Sequence, residues 1–500
     1  MKKLLTLLAT LSVAIVSADN SPTIFSKDRL VNVYDEFIHE EKEYLANTGL
    51  TSHVFPGRDP FAVPANPPPP PFKTGLLPIV LVNDSSYPDD EVYVVVTSGA
   101  NNGASQGWGS IDISYGSNFG VVTIVPVAYG QSASQYTVTL SQLPRGSTGR
   151  VIYLNAINSG LVWFSMGSGL TMPVVNASGQ PAIQHASPVD TSSSNYSIPF
   201  DQFEVAYVPG GNPPISIDAT AVSFFGLPLY GYLAGATSGG SNCGLYQPRS
   251  YILSQLASAF SGAVESSEWN KLVLTSGGSN LRCLSPGQSI ASAGFDKNYL
   301  DNSSSYGYSY LRDLWGQYIG PNVLNMQVGV TVPSTATYNY TGTTTSDSST
   351  FVFTSSNGGP DVTFQALSTG PTYTGCTTYN ILEGLNLVNP TNQPVAGTAA
   401  DAVSKLFEEA IVAGILPMGS TTLSLSYLTS NQANYYKVNS LLTGSGQTTG
   451  PWYDLYSKAL HALGVIYSFA YDDALWPNVL LGGPFVNNST YVGITICKAN

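Results

Sequence analysis

From Leu77 onward the chain is a succession of short runs rich in Val, Ile and Tyr, separated by Gly, Asn and Ser. Runs of this kind lie at 78–82, 91–97, 120–127 and 160–166. β-branched and aromatic residues favour strands, and the residues between the runs favour tight turns. This pattern predicts a turn-rich β structure for the first half of the chain.

Helical patterns enter in the second half, at 249–260, 310–318, 400–413 and 454–467. Strand-like segments are interleaved with them at 323–332, 350–354, 361–367 and 491–497. The Thr/Ser-rich stretch 334–350 is interpreted as a loop. The expected fold class is α+β, mainly β, with a β-barrel or sandwich domain followed by a mixed α/β domain.

The N-terminus carries the pattern of a secretory signal. Lys2 and Lys3 precede the apolar run 4–16, and small residues at 16–18 fit a signal-peptidase site. A signal peptide over 1–18 is predicted, with an uncleaved anchor as the alternative. No later stretch is apolar for long enough to span a membrane, so the mature chain is expected outside it, secreted or periplasmic.

Residues 19–72 differ from the rest and are interpreted as an acidic helical extension with a Pro-rich linker. They hold eight of the 31 acidic residues, and their apolar residues recur near helical spacing. The helix would pack on the main body or bind a partner. The five prolines 67–71 are typical of a stiff spacer, with a proline-binding partner as the alternative.

Three further segments complete the expected organisation. The β domain is expected at 73–240 and the mixed α/β domain at 241–453. The last segment, 454–500, is expected to form a helix and a terminal strand that returns to the β domain.

Charge is scarce in this chain. Charged residues make up 10% of it, with 18 Lys and Arg, 31 Asp and Glu and a net charge of −13. A nucleic-acid-binding protein needs a dense basic surface, so that class is excluded. Because acids are so few, each carboxylate that could serve a catalytic site can be considered individually.

Several other chemistries lack their motifs. The chain has no HExxH or GxxxxGK[ST] pattern, so zinc-protease and phosphate-loop chemistry are not indicated. Serine-hydrolase chemistry would need one of the four histidines near a reactive serine and is not favoured. No CxxC spacing occurs, and no metal or cofactor is expected. The four cysteines permit up to two disulfides in an oxidising compartment: Cys243, Cys283, Cys376 and Cys497.

One predicted hairpin brings two acids together. FEVAY at 203–207 alternates as a strand with Glu204 facing away from the apolar side chains, and the turn VPGGNPP leads to a second strand. If Tyr207 pairs with Ile215, Glu204 lies opposite Asp218, with Cβ atoms about 4.5–5.5 Å apart. Two acids this close push their pKa values apart, as acid/base catalysis requires. The alternative is a solvated hairpin with two ordinary surface acids.

A series of longer motifs follows in order along residues 77–497: VLVNDSS, DEVYVVV, GLVWFSMGSGL, FEVAY, SFFGLPL, LRCLSPG, FDKNYLD, LRDLWGQY and YSFAYDDA. In this order they resemble glycoside hydrolase family 64, the laminaripentaose-producing β-1,3-glucanases, which are related to thaumatin-like proteins. The resemblance implies a thaumatin-like β-barrel or sandwich domain beside a mixed α/β domain, with a wide glucan cleft between them.

The resemblance also implies roles for individual residues. Glu204 corresponds to the general acid of an inverting, endo-acting hydrolysis of β-1,3-glucan, and Asp472 and Asp473 correspond to acids near the cleft, expected to bind substrate. The family's base aspartate corresponds to Ser223, which cannot act as a carboxylate base and is assigned to substrate binding. Asp218 is expected to replace that base, with Asp472 as the alternative.

The resemblance leaves the disulfides open. Where the family commonly has a cysteine that pairs with the equivalent of Cys376, this chain has Phe407. Cys376 would therefore pair with another cysteine or stay free.

Three functions are compatible with these observations. The first is a secreted, monomeric hydrolase of β-1,3-glucan polysaccharide, using Glu204 and Asp218. The second is a catalytically impaired glucan-binding protein on the same fold, because Ser223 replaces the base. The third is a structural surface or adhesion protein, which the Ser/Thr-rich composition permits. The first is adopted.

Overall fold

The computed structural model describes residues 62–99, 106–235, 241–263, 265–292, 294–301, 310–346, 350–367, 376–388, 394–436, 453–472, 479–487 and 489–499. The predicted signal peptide, most of the helical extension and Asp473 lie outside these residues. Residues Asp59–Asn500 belong to one compact unit. The domain boundaries within it, at 240/241 and 453/454, stay predictions.

Within the described residues the strands are β1 (Leu77–Asn83), β2 (Val92–Ser98), β3 (Gly107–Ile111), β4 (Val121–Pro126), β5 (Val138–Thr139), β6 (Arg150–Leu154), β7 (Ile157–Met166), β8 (Val174–Ala177), β9 (Gln180–Ile183), β10 (Phe200–Tyr207), β11 (Ile215–Ala219), β12 (Phe224–Phe225), β13 (Leu229–Ala234), β14 (Ser241–Gly244), β15 (Val273–Ser276), β16 (Ser279–Leu284), β17 (Leu324–Val330), β18 (Ala336–Thr344), β19 (Phe351–Ser355), β20 (Val362–Thr363), β21 (Leu423–Ser424), β22 (Leu481–Gly483) and β23 (Tyr491–Ile496).

The α-helices in the same part of the chain are α1 (Arg249–Ser261), α2 (Ser266–Trp269), α3 (Pro286–Ser292), α4 (Tyr310–Gln317), α5 (Thr378–Leu382), α6 (Ala399–Val412), α7 (Leu425–Ser430) and α8 (Leu455–His461). Short 3₁₀ helices lie at Ala133–Gln135, Leu140–Gln142, Asn270–Leu272, Tyr299–Asp301 and Gln432–Asn434. None of the helices described is long and apolar enough to cross a membrane.

A 13-stranded sheet organises the molecule, in the order β14-β13-β23-β1-β6-β4-β3-β2-β7-β10-β11-β22, with β5 paired to β2. The predicted terminal strand lies inside it, since β23 pairs with both β1 and β13. Two isolated bridges nearly close this sheet into a barrel, Thr220 with Tyr467 and Gly244 with Val465. The fold is therefore mixed α+β and mainly β, as the sequence predicts.

The strand pattern places apolar side chains on the inner face of this sheet. On β10, Phe203, Val205 and Tyr207 are at most 1% exposed and belong to the main core, as the period-two alternation predicts. The opposite face of the sheet carries a second core, which includes Trp108 and Trp163. Glu204 lies on this outer face, beyond the main core.

The proline run packs against the sheet. Pro64, Pro67 and Pro70 are buried while the residues between them are exposed, the period of a polyproline II helix with three residues per turn. Tyr491 Oη donates a hydrogen bond to the carbonyl of Pro67 at 2.6 Å. A Cβ at Gly493 would lie 2.7 Å from Pro67 Cγ, so glycine lets the prolines approach the strand. The run therefore belongs to the compact unit and packs on its sheet, and its role as a linker to the preceding residues stays a prediction.

Two sequence predictions of secondary structure are wrong. The stretch 334–350, interpreted as a loop, contains strand β18. Its Thr and Tyr residues favour strands, although a Thr/Ser-rich composition is also typical of loops. The helix predicted at 454–467 ends at His461, and the apolar residues that follow it form the bridging segment Val465–Tyr467. β18 pairs with its neighbours in the chain, β17 and β19, whereas the bridging segment pairs with residues distant in sequence.

The cysteines form no disulfide with one another. All four lie in the described residues, and each is a buried cysteine outside any disulfide. Cys376 Sγ lies 3.1 Å from the carbonyl oxygen of Gln365. Burial raises the pKa of Cys243 and Cys283, so these thiols stay protonated and behave as small apolar side chains.

Candidate active site

The hairpin of β10 and β11 has the predicted register. Tyr207 pairs with Ile215, and Glu204 pairs with Asp218. Directly opposed residues on an antiparallel pair have Cβ atoms about 4.5–5.5 Å apart, so the two carboxyl groups share one surface of the sheet. The alternation that buries Phe203 and Val205 therefore also places the acids together on the outer face.

A cavity of about 270 Å³ opens over this pair of acids. Its lining residues are contributed by β7, β10, β11 and two C-terminal segments: Asn158, Ser159, Gly160, Glu204, Val205, Ala206, Ser216, Asp218, Tyr467 and Leu480. The cavity combines two carboxylates with amide and hydroxyl groups, an aromatic ring and aliphatic side chains. Sugars offer hydroxyl groups and apolar ring faces, which such a lining can bind.

Glu204 has the electrostatic character of a general acid. Burial raises its pKa above the ordinary glutamate value, and a side-chain hydrogen bond with Thr220 opposes that rise. Asp218 is only 5% exposed. A glutamate with a raised pKa retains its proton closer to neutral pH and can deliver it to a leaving group.

A β-bulge shapes one wall of the cavity. Gly160 pairs with Val205 and Ile157 with Tyr207, so Asn158 and Ser159 together face the single residue between them on β10. Ser159 takes a positive φ of 48°, a conformation that residues other than glycine rarely adopt. Bulges re-aim side chains, and this one places Asn158 and Ser159 at the rim of the cavity.

Tyr467 forms another wall and comes from far along the chain. Its N–H donates to the carbonyl of Ala219 at 3.1 Å, and its carbonyl accepts from the N–H of Ala221 at 2.7 Å. These bonds extend the edge of β11 directly beyond Asp218. Closure of the barrel therefore also completes the cavity.

Comparison with known proteins accounts for this arrangement. The family model described as β-1,3-glucanase, of glycoside hydrolase family 64, matches residues 75–478, which is more than half of the chain. The chain belongs to glycoside hydrolase family 64. Membership in this family supports a β-1,3-glucan hydrolase. Comparison with curated proteins finds no match.

Two solved structures of the family share the fold at low sequence identity. The crystal structure of a β-1,3-glucanase domain from Clostridium beijerinckii has a TM-score of 0.61 and 17% identity, covering 86% of this chain and 100% of the other. The crystal structure of a laminaripentaose-producing β-1,3-glucanase in complex with laminaritetraose has a TM-score of 0.59 and 17% identity, covering 85% and 99%.

Asp472, which is assigned through the family resemblance, pairs with a histidine elsewhere in the structure. Asp472 is 0% exposed, and its Oδ2 lies 2.9 Å from Nε2 of His461. Among the described residues that line the cavity, Asp472 does not occur. The substrate-binding assignment of Asp473 falls outside the described residues.

Ser223 is held through its backbone. It does not occur among the described residues that line the cavity. Its carbonyl accepts the N–H of Ser285 at 2.9 Å, which joins the start of the FFGLP segment to the end of β16. The position that resembles the family's base therefore has a backbone contact to a neighbouring strand.

Sequence reasoning missed a second acid on β10. Asp201 is 3% exposed, and its Oδ2 accepts the N–H groups of Gly226 and Leu227 at 2.7 and 2.9 Å. Burial raises its pKa to about 7, although these hydrogen bonds and Arg282 oppose that rise. The signal was available, because Asp201 is in phase with the apolar face of its strand, where a charged residue needs hydrogen-bonding partners.

Proposed function

We propose that this chain is a secreted, inverting, endo-acting β-1,3-glucanase in which Glu204 is the general acid and Asp218 the general base. The observation that carries the proposal is the cross-strand pairing of these two acids beneath one cavity. Membership in glycoside hydrolase family 64 supports the substrate class.

The proposed reaction transfers one proton on each side of the glycosidic bond, one from an acid and one to a base. Glu204, whose pKa is raised, protonates the leaving-group oxygen, and Asp218 removes a proton from the attacking water. An inverting enzyme needs its carboxyl groups about 6.5–9.5 Å apart to admit that water. Because a cross-strand pair starts from Cβ atoms about 4.5–5.5 Å apart, the two carboxyl groups must point away from each other.

The first test removes each carboxylate without changing its shape. We expect Glu204→Gln and Asp218→Asn each to lower laminarin hydrolysis by about 10²–10⁴-fold, the usual contribution of an acid or base. Asp361→Asn is the matched control, since Asp361 is an exposed acid beside β20 and is expected to leave the rate unchanged. Reducing-sugar release measures all four proteins, and full activity in either site variant would contradict the assignment.

The second test is the stereochemistry of the product. Proton NMR of laminari-oligosaccharide hydrolysis, recorded before mutarotation, is expected to show the α-anomer first. An initial β-anomer would instead indicate a retaining mechanism, in which Asp218 attacks the sugar as nucleophile and water then hydrolyses the covalent intermediate. That outcome is expected for carboxyl groups only about 5–5.5 Å apart.

A wild-type protein that binds laminarin without hydrolysing it would support the alternative function, a glucan-binding protein on this fold. Pull-down on insoluble β-1,3-glucan, with cellulose and chitin in parallel, measures that binding. Failure to bind any of the three would favour a structural surface protein.

Secretion is proposed from the N-terminal sequence alone. The lysines, the apolar run and the small residues at 16–18 support cleavage after Ala18. N-terminal sequencing of the exported protein is expected to begin at Asp19, and retention of the first eighteen residues would favour an anchor.

A further inference from the structure

A buried hydrogen-bond network lies next to Tyr467 in the chain. Asp472 Oδ2 accepts the N–H of Ser468 at 2.7 Å and the hydroxyl of Ser468 at 2.8 Å, and lies 2.9 Å from His461 Nε2. The side chains of Asp472 and His461 are 0% and 3% exposed. The network therefore joins the end of α8 to the turn that follows the bridging segment.

The second imidazole nitrogen is also held. His461 Nδ1 lies 2.9 Å from the hydroxyl of Tyr436. The tautomer that satisfies both contacts has its proton on Nε2, which donates to Asp472, and an unprotonated Nδ1, which accepts from Tyr436. The imidazole ring is fixed at both nitrogens.

This Ser-His-Asp cluster is not arranged for nucleophilic catalysis. Ser468 Oγ lies 3.1 Å from His461 Nε2, the same nitrogen that contacts Asp472, whereas a catalytic triad uses the two nitrogens separately. Ser468 is also only 1% exposed and cannot meet a substrate. A positioning role fits this geometry.

The network reaches the cavity through one peptide bond. Ser468 follows Tyr467, whose backbone is bonded to Ala219 and Ala221 at the end of the strand that carries Asp218. The Tyr467 hydroxyl donates to the carbonyl of Ala470 at 2.9 Å, so its ring is held at the cavity wall by the same turn. Anything that shifts this turn shifts the ring.

We propose that Asp472 and His461 are positioning residues that hold Tyr467 against the Glu204–Asp218 pair and so orient the sugar bound there. The inference rests on the proposed function. Burying a carboxylate is costly, and apolar side chains of similar volume would pack as well or better. Directed hydrogen bonds instead fix the wall in one place, which matters because small displacements of a bound sugar reduce the rate strongly.

The test is a double-mutant cycle on kcat/KM for laminari-oligosaccharides. Asp472→Asn is expected to lower kcat/KM about tenfold or more, since misplacement by about 1 Å can cost up to about 10²-fold. In a Tyr467→Ala background the same substitution is expected to have little further effect, because its target has been removed. Equal effects in both backgrounds would overturn the inference.

A separate variant controls for an effect of Asp472→Asn on stability alone. Asp301→Asn removes the charge of another buried carboxylate, which pairs with the exposed side chain of Arg312 at 3.3 Å. It is expected to lower Tm as Asp472→Asn does while leaving kcat/KM unchanged. If Asp472→Asn does not fold, Ser468→Ala, which keeps the peptide N–H, is expected to give a smaller loss of kcat/KM that also vanishes with Tyr467→Ala.

A binding measurement separates this inference from the proposed function. Laminarin affinity is measured by calorimetry for Glu204→Gln with and without Asp472→Asn. Weaker binding in the double variant supports positioning even if the wild type proves inactive. Equal affinity together with unchanged kcat/KM overturns positioning alone, and absence of both binding and hydrolysis overturns both proposals.

Discussion

Asp201 and Glu204 lie three residues apart on β10, and burial raises the pKa of both, yet their surroundings give them different roles. Glu204 lines the cavity on the outer face. Asp201 points the other way and accepts the N–H groups of Gly226 and Leu227. A raised pKa alone therefore does not identify a catalytic acid on this strand.

Replacing Asp201 tests its role as a backbone anchor. Asp201→Ala leaves the N–H groups of Gly226 and Leu227 unsatisfied inside the molecule, and we expect it to lower the free energy of unfolding by about 2–5 kcal/mol. Asp201→Asn keeps one acceptor oxygen and is expected to lose less. Urea unfolding of both variants measures the difference, and equal losses would show that the hydrogen bonds are not the cause.

Ser223 offers a second prediction at this scale. Because the general base is assigned to Asp218 and Ser223 is not among the described residues that line the cavity, we expect Ser223→Asp to bring no increase in laminarin hydrolysis. Reducing-sugar release from the variant and the wild type measures this. An increase would move the base to position 223 and support a catalytically impaired wild type.

At the scale of elements, the bulge in β7 is the feature that most shapes the cavity. Gly160 lies so close to β10 that a Cβ there would be 2.6 Å from the carbonyl oxygen of Val205. Ser159 beside it has a left-handed conformation at the cavity rim. Residues held in such conformations cluster at functional sites.

Gly160→Ala is expected to push β7 away from β10. The overlap with Val205 predicts a loss of about 1–3 kcal/mol in the free energy of unfolding, as for other overpacked sites. Because Asn158 and Ser159 would move with the strand, laminarin hydrolysis should fall as well. Gly329→Ala, in β17 with no atom within 4 Å of its Cβ, is the control for the change from glycine to alanine in a strand without overlap. Equal laminarin hydrolysis by the two variants would show that the bulge does not shape the cavity.

The parts of the fold and of the candidate site that could be predicted from the sequence are those set by local patterns. The register that opposes Glu204 and Asp218 follows from period-two alternation on either side of one turn, and it is confirmed. The bridging segment Val465–Tyr467 could not be recognised, because its partners Ala219 and Gly244 lie far away in sequence. Its apolar residues fit a helix equally well until those partners are known.

The whole molecule buries several acids, and this predicts how its stability depends on pH. Burial raises the pKa of Asp201 and Glu383 to about 7 and that of Asp454 to about 6. Each acid binds its proton more tightly in the folded state than in the unfolded state, where its pKa is near 4. The stability they contribute is complete below about pH 4 and is lost as pH rises towards 7.

We therefore expect the free energy of unfolding to fall between about pH 4.5 and 7, by up to about 1.4 kcal/mol per pKa unit for each group. His185, whose pKa burial lowers, opposes this trend below about pH 6.5, but three acids outweigh one histidine. Urea unfolding across this range measures the trend, with Asp201→Asn expected to flatten it. A rise in stability from pH 5 to 7 would contradict the prediction.

The pairing of β1 with β23 has a consequence for the timing of synthesis. The first strand of the sheet begins at Leu77, and the strand between it and β13 ends at Ile496. At about 5–20 residues per second, a ribosome takes roughly 20–80 s to travel from one to the other. During that interval β1 and β13 both present unpaired edges, which other chains can join. The nascent chain must therefore stay protected until β23 has emerged.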